Sequence, residues 1–490
     1  MSASEHQDAI NAYVKDYECL MEGVEYFFQL EQLVVQNGNI QAIKQHYDSH
    51  PEDKLCQIYR PEDRSPVLCR RAGIEAIHRM AHRLVGEAPN GSDLSAEDIS
   101  TIISEKIVQA MIDRVTDDDE LVKILKSYVS LSEAKHARIS HHFPCVVVHP
   151  QPNHPIAGGP PTDKIVLGPV AFRRLPHFLD EVNRSIDLGE KQLADDKGLK
   201  YFVESAQKHG WVASVEIPSC APDISRQRAE TIIEAAINLL KIFIGLRHAN
   251  AMRLPHTAAV RNHETCVLNE IDGKLEWTWH GRGIEGALVE NHWFASIPEP
   301  YLNFASHLLV SCLSGKRSEA TNRLVDALKW FGDAAFESSS GVQIAKWVAA
   351  LERLTTTGQF ITHVFCVRVA LLTGNPDADS MAQAYKNARK AYQLRCDVMH
   401  GSRSQDDLHL AANAGFVHDL TRTAIFRALE MHTFLDAVKG DAQLTSIAKF
   451  YEDNTRRFAT QFEQLRASRG ISTGKSWCRS ASGKSGIGPA

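Results

Sequence analysis

The sequence predicts a mainly α-helical protein: a C-terminal antiparallel helical bundle, preceded by a mixed α/β middle region and a helical N-terminal region. Three observations carry this. Apolar residues recur at helical spacing through most of residues 5–135 and again from Tyr301 onward. The later helices are joined by short connections, as in a packed bundle. Between residues 140 and 300 the pattern changes to short apolar runs bounded by Pro and Gly, which read as strands.

Taken in order, residues 5–36 form the first helix, with Ile10, Tyr13, Val14, Tyr17, Leu20, Met21, Val24, Phe27 and Phe28 at helical spacing. Residues 37–39 end it, and a polar, Pro-bearing stretch follows at 46–66. A helix is expected at 72–85. APNGSDLSAEDIS is a loop running into an N-cap at Ser95, with Asp98 three residues on. Helical pattern then continues to 136, interrupted at 116–119. In the middle region FPCVVVHP and DKIVLGPV read as strands, separated by the turn-rich PQPNHPIAGGPP. A helix at 172–188, a strand at 211–217 and a long helix at 225–252 follow. The last has Ile232, Ile233, Ala236, Leu239, Leu240, Phe243 and Leu246 on one broad apolar face. In CVLNEIDGKLEWTWH, Asp272–Gly273 between strand-like runs signals a hairpin. The C-terminal helices are expected at 302–313, 317–336, 342–356, 360–373, 380–399, 408–438 and 442–468. The chain thus divides into a helical N-terminal region (1–139), a mixed α/β middle region (140–300), a helical bundle (301–470) and a Gly/Ser-rich basic tail (471–490) that reads as disordered.

At 490 residues, 43% hydrophobic and 23% charged, the chain has the composition of a soluble globular protein with more than one domain. A formal net charge of −6 excludes a generally basic nucleic-acid coat but leaves room for a local basic cleft. No apolar run reaches the length of a membrane span; the longest, AAINLLKIFIGL, runs on into charged sequence. The opening MSASEHQDAIN lacks a basic-then-apolar signal peptide. Ten cysteines are scattered without a C-x-x-C pair, the usage of free thiols in a reducing cytoplasm. A cytoplasmic protein with no membrane partner is expected.

Chemistry concentrates in residues 391–403, AYQLRCDVMHGSR. Arg395 and His400 form an Arg-x4-His pair, with Asp397 between them and Gly401 directly after. A Gly just past the last periodic residue marks a helix end. His400 then falls in the last turn, where the helix dipole favours an imidazolium. Imidazole moves protons near neutral pH, and guanidinium grips phosphate oxygens and stabilises developing charge. Together they suffice to cleave a phosphodiester without a metal. Such a pair also arises by chance. Arg427 and His432 in RALEMH repeat it, and Arg403 with His409 is a looser copy. Arg427 and His432 lie inside a continuous helical pattern, where a spacing of five sets side chains about 140° apart. Arg395 and His400 straddle a helix end, where unwinding is expected to swing the His round to the Arg.

Rival chemistries are weaker. His136, His141, His142, Cys145, His149 and His154 are metal-ligand types, but their spacing is irregular across a Pro-rich segment and matches no standard finger. Gly474–Ser476 and Gly483–Ser485 spell GKS, but neither has the preceding Gly, strand and following helix of a P-loop. No G-x-S-x-G nucleophile elbow exists. Cys396 reads as a buried helix residue, with a reactive thiol beside Arg395 as the alternative.

The helices before this stretch read VQIAKWVAALERLTTT, FITHVFCVRVALLTG and DADSMAQAYKNARKAYQLRCDVMHG. A helix carrying ALERL, an RVALLTG helix and a helix ending in R-x4-H-G resemble, in that order, the ApeA-like branch of the HEPN nuclease superfamily, over residues 303–450. The resemblance implies an antiparallel bundle that dimerises and brings two Arg/His pairs into one basic cleft. It also implies a metal-independent endoribonuclease, in which a 2′-hydroxyl attacks the adjacent phosphate and leaves a 2′,3′-cyclic phosphate and a 5′-hydroxyl. Carried onto this chain, Arg395 stabilises the phosphorane and His400 shuttles protons. The polar residue that often follows the family's Arg is Cys396 here. Asp397 is the auxiliary group that would orient Arg395 or His400, unless it simply faces solvent. Glu352 in ALERL would face the same cleft, unless it is a surface charge. With no metal to activate water, the internal 2′-hydroxyl makes RNA and not DNA the expected substrate.

The expectation is a metal-independent endoribonuclease, with no cofactor and no metal, acting in antiviral (abortive infection) defence or as a toxin. RNA is its substrate, it is a homodimer through the bundle, and its N-terminal two-thirds sense a viral or nucleic-acid trigger. The alternative is a non-catalytic HEPN module that binds RNA or protein. A third reading, a metal hydrolase on the His136–His154 cluster, would be removed by finding no zinc in purified protein.

Overall fold

The computed structural model describes residues 3–37, 56–59, 66–112, 115, 117–147, 163–185, 197–245, 249, 252–254, 264–271, 274–281, 293–358, 361–438 and 443–457. The protein is mainly α-helical, with a small sheet in its middle region. It forms two compact units: Met1–His141 with Glu216–Glu230 and Leu313–Lys316, and His142–Val215 with Thr231–Cys312 and Arg317–Ala490. The middle region beyond His142 and the C-terminal bundle therefore share one unit, except for the two short segments given to the first. Among the described residues, no helix is long and apolar enough to cross a membrane.

In the first unit, α1 (Ala3–Asn37) buries Ile10, Tyr13, Tyr17, Leu20 and Val24, the stripe its periodicity predicts. Against it packs α2 (Arg71–Glu87), through Ile77, Met80, Ala81 and Leu84. Asp16 on α1 is 5% exposed and is held by Arg79 at 2.8 Å and Arg83 at 3.1 Å, which compensates its burial. The polar 46–66 stretch carries strand β1 (Cys56–Tyr59), which pairs antiparallel with β2 (Pro66–Cys69). Its four-residue strands are too short to show a period. Helices α3 (Ala96–Ile112) and α4 (Asp118–Glu133) follow. Ser95 caps α3 as expected, accepting from the Asp98 amide at 3.2 Å, and Asp117 caps α4. Arg228, 7% exposed, donates to the Ser92 and Leu313 carbonyls and the Asp93 carboxylate, so one guanidinium ties three segments together. Gly315 fits beside it because any Cβ would stand 2.4 Å from Asp93 Oδ1.

Strand β3 (Ala137–Cys145) begins earlier than its apolar run suggested. DKIVLGPV is a hairpin, not one strand: β4 (Lys164–Leu167) turns at Gly168, φ +56°, into β5 (Val170–Arg174). That strand takes the first residues of the helix expected at 172, so α5 spans only Leu175–Ser185. A polar helix absent from the sequence reading, α6 (Lys197–His209), precedes β6 (Trp211–Cys220). The sheet order is β3-β6-β5-β4, with β5 and β6 antiparallel. Helix α7 (Pro222–Ile244) is shorter than expected, and β7 (Glu264–Ile271) and β8 (Lys274–Gly281) form the expected antiparallel hairpin. The Asp272–Gly273 turn itself, His149, His154, both GKS motifs and the 471–490 tail lie outside the described residues.

The bundle comprises α8 (Glu299–Ser311), α9 (Glu319–Ala334), α10 (Ser340–Thr355), α11 (Thr362–Thr373), α12 (Ala378–Met399), α13 (Leu408–Thr433) and α14 (Leu444–Arg457), with a π-helical turn at Phe434–Val438. Helix α10 is its centre, with α9, α12 and α13 packed around it. It buries Ile344, Trp347, Val348 and Leu351. Its last turn leaves carbonyls without helical partners, and guanidinium groups take them. Arg323 from α9 donates to the Arg353 carbonyl at 2.9 Å and to that of Thr356, and Arg368 from α11 donates to the Thr355 carbonyl. Cations suit this negative end of the helix dipole. The turn that bears Glu352 is thereby fixed.

Candidate functional site

Helix α12 starts at an Asp377 cap, whose side chain accepts from the Ser380 amide at 2.8 Å. It ends as predicted at Gly401, φ +71°, whose amide reaches back to the Val398 carbonyl at 3.1 Å. The unwinding expected to swing His400 toward Arg395 does not occur before that glycine. The His400 amide still donates to the Cys396 carbonyl at 2.9 Å, so helical register runs through His400. The two Cβ atoms therefore sit about 140° apart around the axis.

The two faces differ. Arg395 lies on the side of Ala384, Ala388 and Ala391, which are buried in the bundle. Its Nε is 3.8 Å from Glu352 Oε1 on α10, and its guanidinium stands over Tyr392 at 5.9 Å from the ring centroid. At 27% side-chain exposure, and with no hydrogen bond among the described residues, its donors remain available to an incoming anion. Burial raises the Glu352 carboxyl above its ordinary value, and Arg395 pulls it back toward ionisation. Glu352 thus faces Arg395, as one reading of ALERL expected.

His400 is exposed at the C-terminal end of α12, and among the described residues its ring makes no hydrogen bond or ion pair. An imidazole at this end, open to solvent, has both nitrogens free for proton transfer. Asp397 orients neither Arg395 nor His400. Its carboxylate accepts from Gln393 at 2.8 Å and from Arg403 at 3.3 Å, and Arg403 also reaches Asp407 at 3.4 Å. Asp397 instead ties the 401–407 loop to the helix. Sequence spacing could not have supplied Arg403, which reaches Asp397 only because the chain reverses at Gly401.

No protein-family model, curated protein or solved structure matches this chain. The chemistry rests on the side chains themselves.

The second Arg-x4-His copy is split as predicted. Helix α13 runs unbroken through it; Arg427 is 54% exposed and pairs with Glu430, whereas His432 is 0% exposed and bonded to Thr321 Oγ1 at 2.9 Å. Burial lowers His432 to about 4, so it is neutral and out of reach of substrate. Three described members of the His/Cys cluster do not share a partner. His141 bonds Ser225 at 2.7 Å, His142 bonds Ser214 at 2.9 Å, and burial pushes the Cys145 thiol up. Among the described residues, no three His, Cys, Asp or Glu side chains gather as a metal-binding group. Cys396 is half-buried beside Tyr392, whose phenol is raised first by burial.

The Arg-x4-His motif leaves out the outer face of α12. Lys386, Arg389, Lys390 and Gln393 are exposed there and lead to His400. The signal was legible in KNARKAYQ as cations at i, i+3 and i+4.

Proposed function

We propose that the C-terminal bundle is a metal-independent endoribonuclease of HEPN type. The observation that supports it most is His400: an exposed, unbonded imidazole at a helix end, approached along a helix face that carries Lys386, Arg389 and Lys390. In this reading His400 accepts the 2′-hydroxyl proton as the oxygen attacks the adjacent phosphorus, and later returns a proton to the departing 5′-oxygen. A guanidinium stabilises the charge that builds on the phosphorane. Arg395 supplies it, with Glu352 as the counter-ion that holds the guanidinium before RNA arrives. Because Arg395 and His400 lie on different faces of α12, a homodimer through the bundle supplies the second copy of each group to one cleft. An abortive-infection or toxin role, with the remainder of the chain sensing a viral or nucleic-acid trigger, belongs to the same proposal.

The split between the two faces also favours a second reading, a non-catalytic module that binds RNA or a protein. The two readings separate on RNA with every 2′-hydroxyl methylated. A nuclease of this kind cuts unmodified RNA, leaves cyclic-phosphate ends and spares the methylated strand. Cutting of the methylated strand refutes internal attack, and binding of both strands with cutting of neither supports the second reading.

A further inference from the structure

Inside the second unit, α7 and the end of α9 enclose a small recess, partly open to solvent, lined by Glu234, Asn238, Lys241, Arg253, Asp333 and Phe336. The proposed ribonuclease chemistry uses none of them. Lys241 is 2% exposed, donates to the Gly332 carbonyl at 3.2 Å and stands 4.1 Å from the Phe336 ring centroid. Among the described residues no carboxylate forms an ion pair with it, and Glu234 is drawn instead to Lys329 at 3.5 Å. A buried ammonium in that position tends to give up its proton. Burial, opposed by Asp333 and Glu234 and aided by Arg253, lowers the amine to about 7. At neutral pH a large share of it is therefore a free nucleophile. Arg253 is anchored by its backbone, which exchanges hydrogen bonds with Val146 at 2.9 and 3.1 Å. Its Nε is buried and, among the described residues, has no hydrogen-bond partner. A buried donor left unpaired is costly until an acceptor arrives.

We propose that this recess is a carbon dioxide site, in which the Lys241 amine is converted to a lysine carbamate with Arg253 as its counter-ion. The amine lone pair attacks the carbon, a C–N bond forms, and one C–O π pair moves onto oxygen. The nitrogen then loses a proton, which passes through Asp333 or Glu234 to solvent. Nothing is oxidised or reduced, and no further reactant is consumed. The carbamate nitrogen keeps one N–H for the Gly332 carbonyl, and the Arg253 Nε–H and the Asn238 amide are the donors for the new carboxylate. Arg253 thus acts twice in one direction: its charge disfavours the ammonium and favours the carbamate. Asp333 and Glu234 oppose the anion, and Lys329 offsets the second of them. The recess selects this electrophile. Carbon dioxide is small, linear and uncharged, so it passes the apolar walls of Ile237, Leu254 and Phe336. It reacts only with a neutral amine, and exposed lysines stay protonated at neutral pH.

The test incubates the full chain with isotope-labelled bicarbonate, traps carbamates as ethyl esters with triethyloxonium ion, and maps the labelled lysines by peptide mass spectrometry. Wild type should carry the label at Lys241, in an amount that grows with dissolved carbon dioxide and from about pH 6 to about pH 8 as the amine loses its proton. Exposed lysines such as Lys386 should carry less by about tenfold or more. Arg253→Gln removes the counter-ion and should cut the label at Lys241 by about tenfold, the worth of one hydrogen bond to a charged group. Lys241→Met should remove that label altogether. No label at Lys241 in saturating carbon dioxide, or no more there than on exposed lysines, overturns the proposal, and neither result depends on a variant folding. Undiminished label in Arg253→Gln overturns the assignment of Arg253 as counter-ion. The ribonuclease reading stands or falls separately, since none of these residues takes part in it.

Discussion

Lys241 on α7 should be more costly charged than absent. Its side chain is buried, at 2% exposure, with the ammonium donating to the Gly332 carbonyl at 3.2 Å and lying 4.1 Å from the Phe336 ring centroid. Burial lowers the amine from 10.5 to about 7, opposed by Asp333 and Glu234 and aided by Arg253. The unfolded chain holds this proton up to its ordinary value, whereas the folded chain releases it near pH 7. Between those values the unfolded state binds more protons, so stability rises with pH. At about 1.4 kcal/mol per pH unit, the span amounts to a penalty of about 5 kcal/mol at pH 7 and below, fading toward zero above the unfolded value. Lys241→Met keeps the unbranched stem and removes the penalty. It also strips the Gly332 carbonyl of its donor, which costs about 1–3 kcal/mol. The net is a gain of about 2–4 kcal/mol at pH 7 that turns into a loss of about 1–3 kcal/mol at pH 10.5. Urea midpoints of wild type and variant at the two pH values measure this directly. A variant less stable than wild type by the same amount at both would instead mean that Glu234 and Asp333 fully compensate the buried charge.

Three smaller effects follow from local geometry. Gly401→Ala puts a Cβ on a residue at φ +71° with no atom in its way, so the cost is backbone strain alone, about 1 kcal/mol, read as a drop in unfolding midpoint. Asp16→Ala leaves Arg79 and Arg83 facing a buried gap and should cost about 2 kcal/mol, less than the ~3–5 of a fully buried pair because Arg79 is half exposed; an unchanged midpoint would show that both arginines escape to solvent. Arg427→Ala removes only an exposed pair with Glu430 and should leave RNA cleavage within a factor of two of wild type. An inactive R427A protein would mean that the wrong Arg-x4-His copy has been chosen.

Long amphipathic helices were legible because burial imposes one period over many turns: the Ile10–Val24 stripe of α1 and the Ile344–Leu351 core of α10 are both visible in the letters. Short or polar elements were not. Strand β3 opens with Ala137–His142, where histidines bond to serines instead of packing as apolar residues, so its first half reads as loop. In KGLKYFVESAQKH the polar surface of α6 masks the few residues, such as Phe202, that pack against the neighbouring core. At the site, Gly401 revealed where α12 ends, but not that its hydrogen-bond ladder holds through His400. The 140° separation that disqualified Arg427 and His432 therefore applies to Arg395 and His400 within one chain as well.

The most direct test of the central claim is to incubate purified full-length protein with total RNA in excess EDTA, beside His400→Ala. Cleavage should survive the chelator, leave 2′,3′-cyclic phosphate ends and disappear in the variant. Cleavage that persists in His400→Ala would contradict the assignment of His400. RNA bound by the wild type but left intact would contradict catalysis and make the bundle an RNA-binding module.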